Sequence, residues 1–419
     1  MKILALVLLG SICIGCSHGD AKDANAIQLR MLTHLIPPAR DTMNDLLRQF
    51  HSENRGIQVT QETFPGNGPL LMEKLRTEIL TGSAPDMFWL ASGEIARPFI
   101  EAGYVADADP YYKQYNWDNI LVPWAVEGLK YQGKLWGVPR STRAVTFWYR
   151  TDLFRQAGIQ PPTTYPELES DCERLKVRGK FCLSIGGKFG WNTMRLLDYL
   201  IEVTAGPELH EKLNHLQADW NCPQVVKAYA LLRRWIDEGW IVKGFLTLPP
   251  DDARLPWYQG EAAMVLEGDW METVIRNDEQ DIANFDFFIA PTDRIPLRVS
   301  GFPEQIMIAS SCAHKDAAAA FLNWYIQPRV QSKYFMDLEG PTATLGVRPD
   351  PKLWPRTFRW RPILDRVSIY LPTDQELPNE LMDDWYQIQD NLIAGRSTPE
   401  QAAQQIGAAT DRWKARHAH

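Results

Sequence analysis

The chain alternates short apolar runs with amphipathic stretches. Residues 27–33, IQLRMLT, read as a strand. The next stretch places Met43, Leu46, Leu47 and Phe50 on one face at helical spacing, and GIQVTQ at 56–61 alternates as a short strand. A helix over 72–82, closed by Gly82, leads into a buried strand, DMFWLA at 86–91, and a further helix covers 96–104. This β-α-β-α-β-α order is that of a largely parallel sheet covered by helices. A second such system begins near residue 145, where VTFWYR reads as a strand, TYPELESDCERLK as a helix, FCLSIGG as a strand and NTMRLLDYLIEVTAG as a helix. Val225, Tyr229, Leu232 and Ile236 then form one helical stripe, and strands are expected at 262–268, 285–291 and 305–310. The helix KDAAAAFLNWYI follows, and Ala402, Ile406, Ala409 and Trp413 fall in phase along a C-terminal helix. No repeat and no low-complexity linker separates the two systems. They are expected to touch directly, and clefts between such units are favoured ligand sites.

The first residues, MKILALVLLGSICIGC, carry one cation, Lys2, ahead of an apolar run from Ile3 to Ile14. That run is shorter than the ~20 residues of a membrane-spanning helix and has the length of a signal-peptide core. It closes on Ile14-Gly15-Cys16, which resembles a lipobox, although Cys13 stands where leucine is usual. Residues 1–15 are therefore read as a lipoprotein signal peptide, Cys16 as the lipidated first mature residue and 16–26 as a polar tether. An ordinary secretory signal cleaved nearby is the alternative. The mature protein is expected to be exported, periplasmic or on the cell surface, and anchored to a membrane through lipid at Cys16.

At 419 residues the chain is long enough for two or three domains. With 44 Lys and Arg against 52 Asp and Glu, its net charge of -8 argues against a nucleic-acid partner. Tryptophan is abundant, at 16 residues; most are expected in cores, and the remainder are suited to stacking on sugar rings. Four cysteines follow Cys16, and they allow three complete pairings. Cys172 in a helix and Cys182 in the next strand are the favoured pair. No CxxC or Cys/His spacing suggests a metal site. The dinucleotide fingerprint, the P-loop, the HExxH helix and the GxSxG elbow are all missing from the sequence, so neither a cofactor nor a catalytic residue is expected. A glycoside hydrolase remains the competing class, because its two carboxylates sit on distant strands and need no local motif.

Read in order, the lipobox, TGSAPDMFWL (81–90), FIEAGYVADADPYY (99–112), YQGKLWGVPRSTRAVTFWYRTDLFRQAGIQPPTTYPEL (131–168), GGKFGW (186–191) and YQGEAAMVLEGDW (258–270) form a series. Through it the whole mature chain resembles the maltose-binding-protein-like, family 1 extracellular sugar-binding proteins of bacterial ABC importers. The resemblance implies an α/β, two-lobed periplasmic-binding-protein type II fold with a ligand cleft between the lobes. Lobe I would hold 27–139 and about 299–344, and lobe II about 140–298 and about 345–419, with chain crossings near Arg140, Val299 and Leu345. It implies capture of a mono- or oligosaccharide, delivery to the permease subunits of an ABC transporter, a monomer, and no enzymatic activity. Carried over by motif, the ligand-contacting residues would be His34, Ser92, Glu94, Arg140, Arg143, Lys188, Trp191, Asp269, Trp270, Phe302 and Glu304. Trp270 and Trp191 would cover the apolar face of a pyranose, and the charged groups would bond hydroxyl pairs. Maltose-type members carry a carboxylate where this chain has Arg143. Together with Arg140 and Lys188, that departure opens a second reading, a receptor for an acidic sugar or a glycerophosphodiester.

Overall fold

The computed structural model describes residues 25–64, 69–334, 338 and 340–417. The signal peptide, Cys16 and most of the tether lie outside the described residues. Eleven strands run β1 (Ile27–Thr33), β2 (Ile57–Thr63), β3 (Met87–Ala91), β4 (Lys130–Tyr131), β5 (Lys134–Leu135), β6 (Val138–Arg150), β7 (Phe181–Ser184), β8 (Ala262–Gly268), β9 (Phe285–Phe288), β10 (Arg298–Ile308) and β11 (Ser368–Tyr370). All except the β4–β5 hairpin join one sheet, ordered β2-β1-β3-β10-β6-β8-β7, with β11 beside β10 and β9 beside β6.

Among the described residues the two largest hydrophobic cores sit at opposite ends of this sheet, with a smaller one around Trp148, Trp257 and Phe287. The first packs β1, β2 and β3 under the helix Ala39–Glu53, which buries the expected face of Met43, Leu46, Leu47 and Phe50. The helix Lys315–Tyr325 covers it as well, through Phe321 and Leu322. The second core gathers β7, β8 and the helices Tyr165–Val177, Trp191–Asn214 and Pro223–Asp237, with the C-terminal helices Asn379–Ile393 and Pro399–His417 laid over them. Ten of the sixteen tryptophans are buried, and Trp191 and Trp270 are among the six that keep some exposure.

The elements that span both cores are two long antiparallel strands, β6 and β10. Gly301 of β10 pairs with Ala144 of β6 and Ile306 pairs with Val138, with an irregularity at Glu304–Gln305. The C-terminal part of β10 then pairs with β3, while the C-terminal part of β6 pairs with β8 and β9. Sequence periodicity places these strands at 145–150 and 305–310 only. In the structure each starts seven residues earlier, at Val138 and Arg298. Likewise, the helix expected to stop at Gly206 turns there, with Gly206 at φ 76°, and resumes through Pro207 to Asn214. Cys172 and Cys182 are disulfide-bonded, with Cα atoms 4.9 Å apart. Among the described residues no helix is long and apolar enough to cross a membrane.

Candidate ligand site at the strand crossing

Where β6 and β10 run side by side, Arg140, Arg143 and Glu304 carry charge into the junction between the cores. Glu304 lies opposite Ser141 in the ladder. Its carboxylate accepts from Arg140, from Ser141 Oγ at 3.2 Å and from Arg143 Nη2 at 3.0 Å. Burial pushes this carboxyl up, but the charges of Arg140 and Arg143, with His34 beyond them, outweigh it and hold the group well below the usual carboxylate range. Arg140 also donates to the Leu338 carbonyl at 3.0 Å and lies 3.8 Å above the centroid of the Trp89 ring. His34, on the loop after β1, meets the same indole edge-on at 5.9 Å.

Beside this triad β8 ends in Gly268, Asp269 and Trp270. Asp269 Oδ1 accepts from the Ala144 amide at 3.2 Å, and burial pushes its carboxyl up to about 7 despite the nearby charges of Arg143 and Arg361. The Trp270 ring packs against Gly268, where a Cβ would come within 1.8 Å of ring atom Cζ3. Arg143 approaches the ring at 5.6 Å. The indole is thus backed by bare backbone, with a cation over the ring.

A second polar group lies on the side of the second core. Arg195, on the helix Trp191–Asn214, is 7% exposed, and its guanidinium sits between the rings of Trp191 at 5.1 Å and Phe302 at 4.9 Å. Its Nε and Nη1 have no hydrogen-bond partner among the described residues, and the same is true of Glu267 Oε2 and Asp374 Oδ1. Burial pushes the Asp374 carboxyl up to about 6 and raises Glu267, and in both the charge of Arg195 acts in the opposite direction. Leaving such atoms unmatched in a folded chain costs roughly 1–3 kcal/mol each.

Asp374 lies in the short helix Thr373–Glu376, which meets the loop after β3. Ser92 Oγ donates to Gln375 Oε1 at 3.1 Å, and Asn379 Nδ2 donates to the Glu94 carbonyl at 3.0 Å. Glu94 turns its own carboxylate to Arg97 on the following helix, and Lys188 is solvent-exposed beside Phe189. Of the residues named from sequence, the structure therefore brings together His34, Arg140, Arg143, Asp269, Trp270 and Glu304. Trp191 and Phe302 stand around Arg195, Ser92 and Glu94 lie at the contact between the cores, and Lys188 stands apart. Sequence reasoning missed Arg195, Glu267 and Asp374, which carry no local motif. The fold also assembles Glu211, His215 and Glu376, whose potential ligand atoms lie within 4.8 Å of one another; Glu211 and His215 are four apart along one helix face, but no spacing in the sequence brings Glu376 to them.

The profile of bacterial extracellular solute-binding proteins matches residues 37–332. The chain belongs to that family. Similar proteins include an uncharacterised ABC transporter extracellular-binding protein of Pyrococcus horikoshii, 22% identical over 351 residues, covering 77% of this chain and 76% of the relative. The multiple sugar-binding protein of Streptococcus mutans is 24% identical over 319 residues, covering 74% of this chain and 73% of that one. A solved chitin oligosaccharide binding protein superposes with a TM-score of 0.79 at 21% identity, over 93% of this chain and the whole of that chain. The fold is accordingly the two-lobed α/β fold of periplasmic solute-binding proteins, and the junction of β6, β8 and β10 lies between its two cores.

Proposed function

We propose that this protein is the solute-capturing component of an ABC importer, closing around a carbohydrate and delivering it to the membrane permease. The observation that carries the reading is the Trp270 platform. A partly exposed indole backed by Gly268 stands within one junction with Arg143, Glu304 and Asp269. A pyranose offers an apolar face to such a ring and a rim of hydroxyls to such charges. Relatives named for multiple sugars and for chitin oligosaccharide support the ligand class. In this reading lobe I comprises 27–139 and about 299–344, and lobe II about 140–298 and about 345–419. The chain is exported, held at the membrane by acyl chains on Cys16, and works as a monomer. Its ligand contacts are drawn from His34, Arg140, Arg143, Trp191, Asp269, Trp270, Phe302 and Glu304, with Ser92 and Glu94 at the closing contact and Lys188 at the rim. No covalent chemistry is required, because closure shifts an equilibrium by differential contact with the ligand.

The test is thermal unfolding of the protein lacking residues 1–26, measured against neutral sugars, acidic sugars and glycerophosphodiesters with product analysis in parallel. A binder of the folded state raises the midpoint by mass action. A raised midpoint with the compound recovered intact supports the receptor. Cleavage of a glycan instead returns the hydrolase reading.

A further inference from the structure

We propose that the outer face of the helix Pro355–Leu364 is a membrane-surface contact, which docks the protein on anionic phospholipid head groups. The inner face of this helix is committed to the protein. Thr357, Arg361 and Leu364 are buried. The Thr357 amide donates to Glu272 at 2.7 Å, and Arg356 Nε donates to the Phe285 carbonyl at 2.8 Å. Trp360 packs on Phe287 at 4.9 Å, against the small core around Trp148 and Trp257. The other face is left to solvent. At 3.6 residues per turn Phe358, Arg359, Pro362, Ile363 and Arg366 fall within an arc of about 140°, and all five are exposed. Arg366 keeps this phase because its amide donates to the Ile363 carbonyl and continues the turn. Phe358 and Ile363 are 41% and 46% exposed, and Leu353, in the turn leading into the helix, is 51% exposed. Large apolar side chains grouped at the surface of a well-anchored helix point to a partner.

The charges identify that partner. Between residues 351 and 366 the exposed charged residues are Lys352, Arg359 and Arg366, all cations. The acids nearby are already engaged. Asp286 accepts from Arg359, whose side chain stays 50% exposed, Asp365 pairs with Arg348 and Arg361, and Asp350 accepts from the Lys352 amide at 2.8 Å. A second copy docked by two-fold symmetry would set this basic face against itself. An anionic bilayer meets both features: the ring and alkyl groups sink towards the acyl boundary while the guanidinium groups stay at the phosphates. The whole chain carries a net charge of -8. Its surface at large is therefore repelled by such a bilayer, and a basic face sets the orientation of approach. The contact goes beyond the receptor reading and needs no sugar. It adds to the acyl anchor proposed at Cys16 by fixing which side of the protein faces the membrane.

The experiment is co-sedimentation of the unacylated protein, lacking residues 1–26, with two kinds of vesicle in the absence of sugar. One kind is phosphatidylcholine alone, the other equal parts phosphatidylcholine and phosphatidylglycerol. The expected result is binding to the mixed vesicles only, falling as salt is raised. Phe358→Ser combined with Ile363→Ser weakens it by about 10-fold or more, and Arg366→Glu by about 5-fold or more. Leu80→Ser, at a position 77% exposed on a helix of the first lobe, leaves it unchanged. Because the substituted side chains are exposed, each variant keeps the parental unfolding midpoint. Absence of binding to the mixed vesicles overturns the proposal, as does equal binding by the parent and the variants on the helix face. A dimer in sedimentation equilibrium that Phe358→Ser dissolves, with vesicles left unbound, also overturns it and gives the face to a second copy. The receptor reading stands or falls separately, on sugar titration of the same proteins.

Discussion

At Gly268 the absence of a side chain is what lets the Trp270 ring lie on the backbone. A methyl there would come within 1.8 Å of the indole, so Gly268→Ala must displace the ring. The expected cost is about 1–3 kcal/mol, typical of overpacking, with a changed near-ultraviolet circular dichroism signal and weaker sugar binding. The two acids of the junction, Glu304 and Asp269, behave oppositely. Glu304 is held ionised by two guanidinium groups, and Glu304→Ala leaves Arg140 and Arg143 buried without it. Removing one partner of a buried ion pair costs roughly 3–5 kcal/mol, which chemical denaturation would measure. Burial raises the Asp269 carboxyl to about 7 against an ordinary value of 3.8. Between those two values the unfolded chain releases this proton while the folded chain keeps it. Its contribution to stability therefore falls as pH rises through that window and levels off above about 7. Asp269→Asn removes the titration and keeps an oxygen for the Ala144 amide. The variant is expected to unfold at a higher temperature than the parent at pH 8, with the difference vanishing towards pH 4. A constant difference across that range would contradict this account.

The elements show where sequence pattern suffices. The helix Tyr165–Val177 starts at Thr164, whose hydroxyl accepts from the Glu167 amide while the Glu167 carboxylate accepts from the Thr164 amide. Thr164→Ala is expected to cost about 1 kcal/mol. Replacing both Cys172 and Cys182 by serine, which unlinks the middle of that helix from β7, is expected to cost about 2–4 kcal/mol in urea titration. Such elements are legible because propensity, apolar period and cap agree. The helix Ala39–Glu53 is legible for the same reason, its buried face repeating at three and four residues. The first halves of β6 and β10 are not legible this way. Pro139, Arg140, Arg143 and Pro303 interrupt the apolar pattern, yet all four are buried. The polar ones are stabilised by partners on the neighbouring strand, such as Glu304, which no window along one segment contains. A charge that would end a strand by hydropathy is here satisfied across the ladder.

At the scale of the whole molecule, the candidate site divides in the same way. Arg140, Arg143, Asp269, Trp270 and Glu304 sit within motifs whose order along the chain could be read. The charge of Arg195 reaches Asp374 only because the helix Trp191–Asn214 and a segment almost 180 residues later pack together, anchored where the Thr373 amide donates to Asp198 at 3.0 Å. That same segment touches the side of the first core at Gly93, which has a φ of 65° and would place a Cβ 2.0 Å from the Gln375 carbonyl oxygen. Because both clashing groups belong to different cores, Gly93→Ala should leave each core packed and separate the two. The closed arrangement then becomes less populated, and the apparent affinity for ligand falls by the same factor as the closed fraction. The expected outcome is a larger radius of gyration in solution scattering without ligand, a return towards the parental value at saturating ligand, and a proportionate rise in Kd. The main thermal transition should shift little, since buried apolar area in either core is unchanged. An unchanged scattering curve with parental affinity would mean that the Ser92–Gln375 contact does not govern closure, and that the hinge strands β6 and β10 set the equilibrium instead.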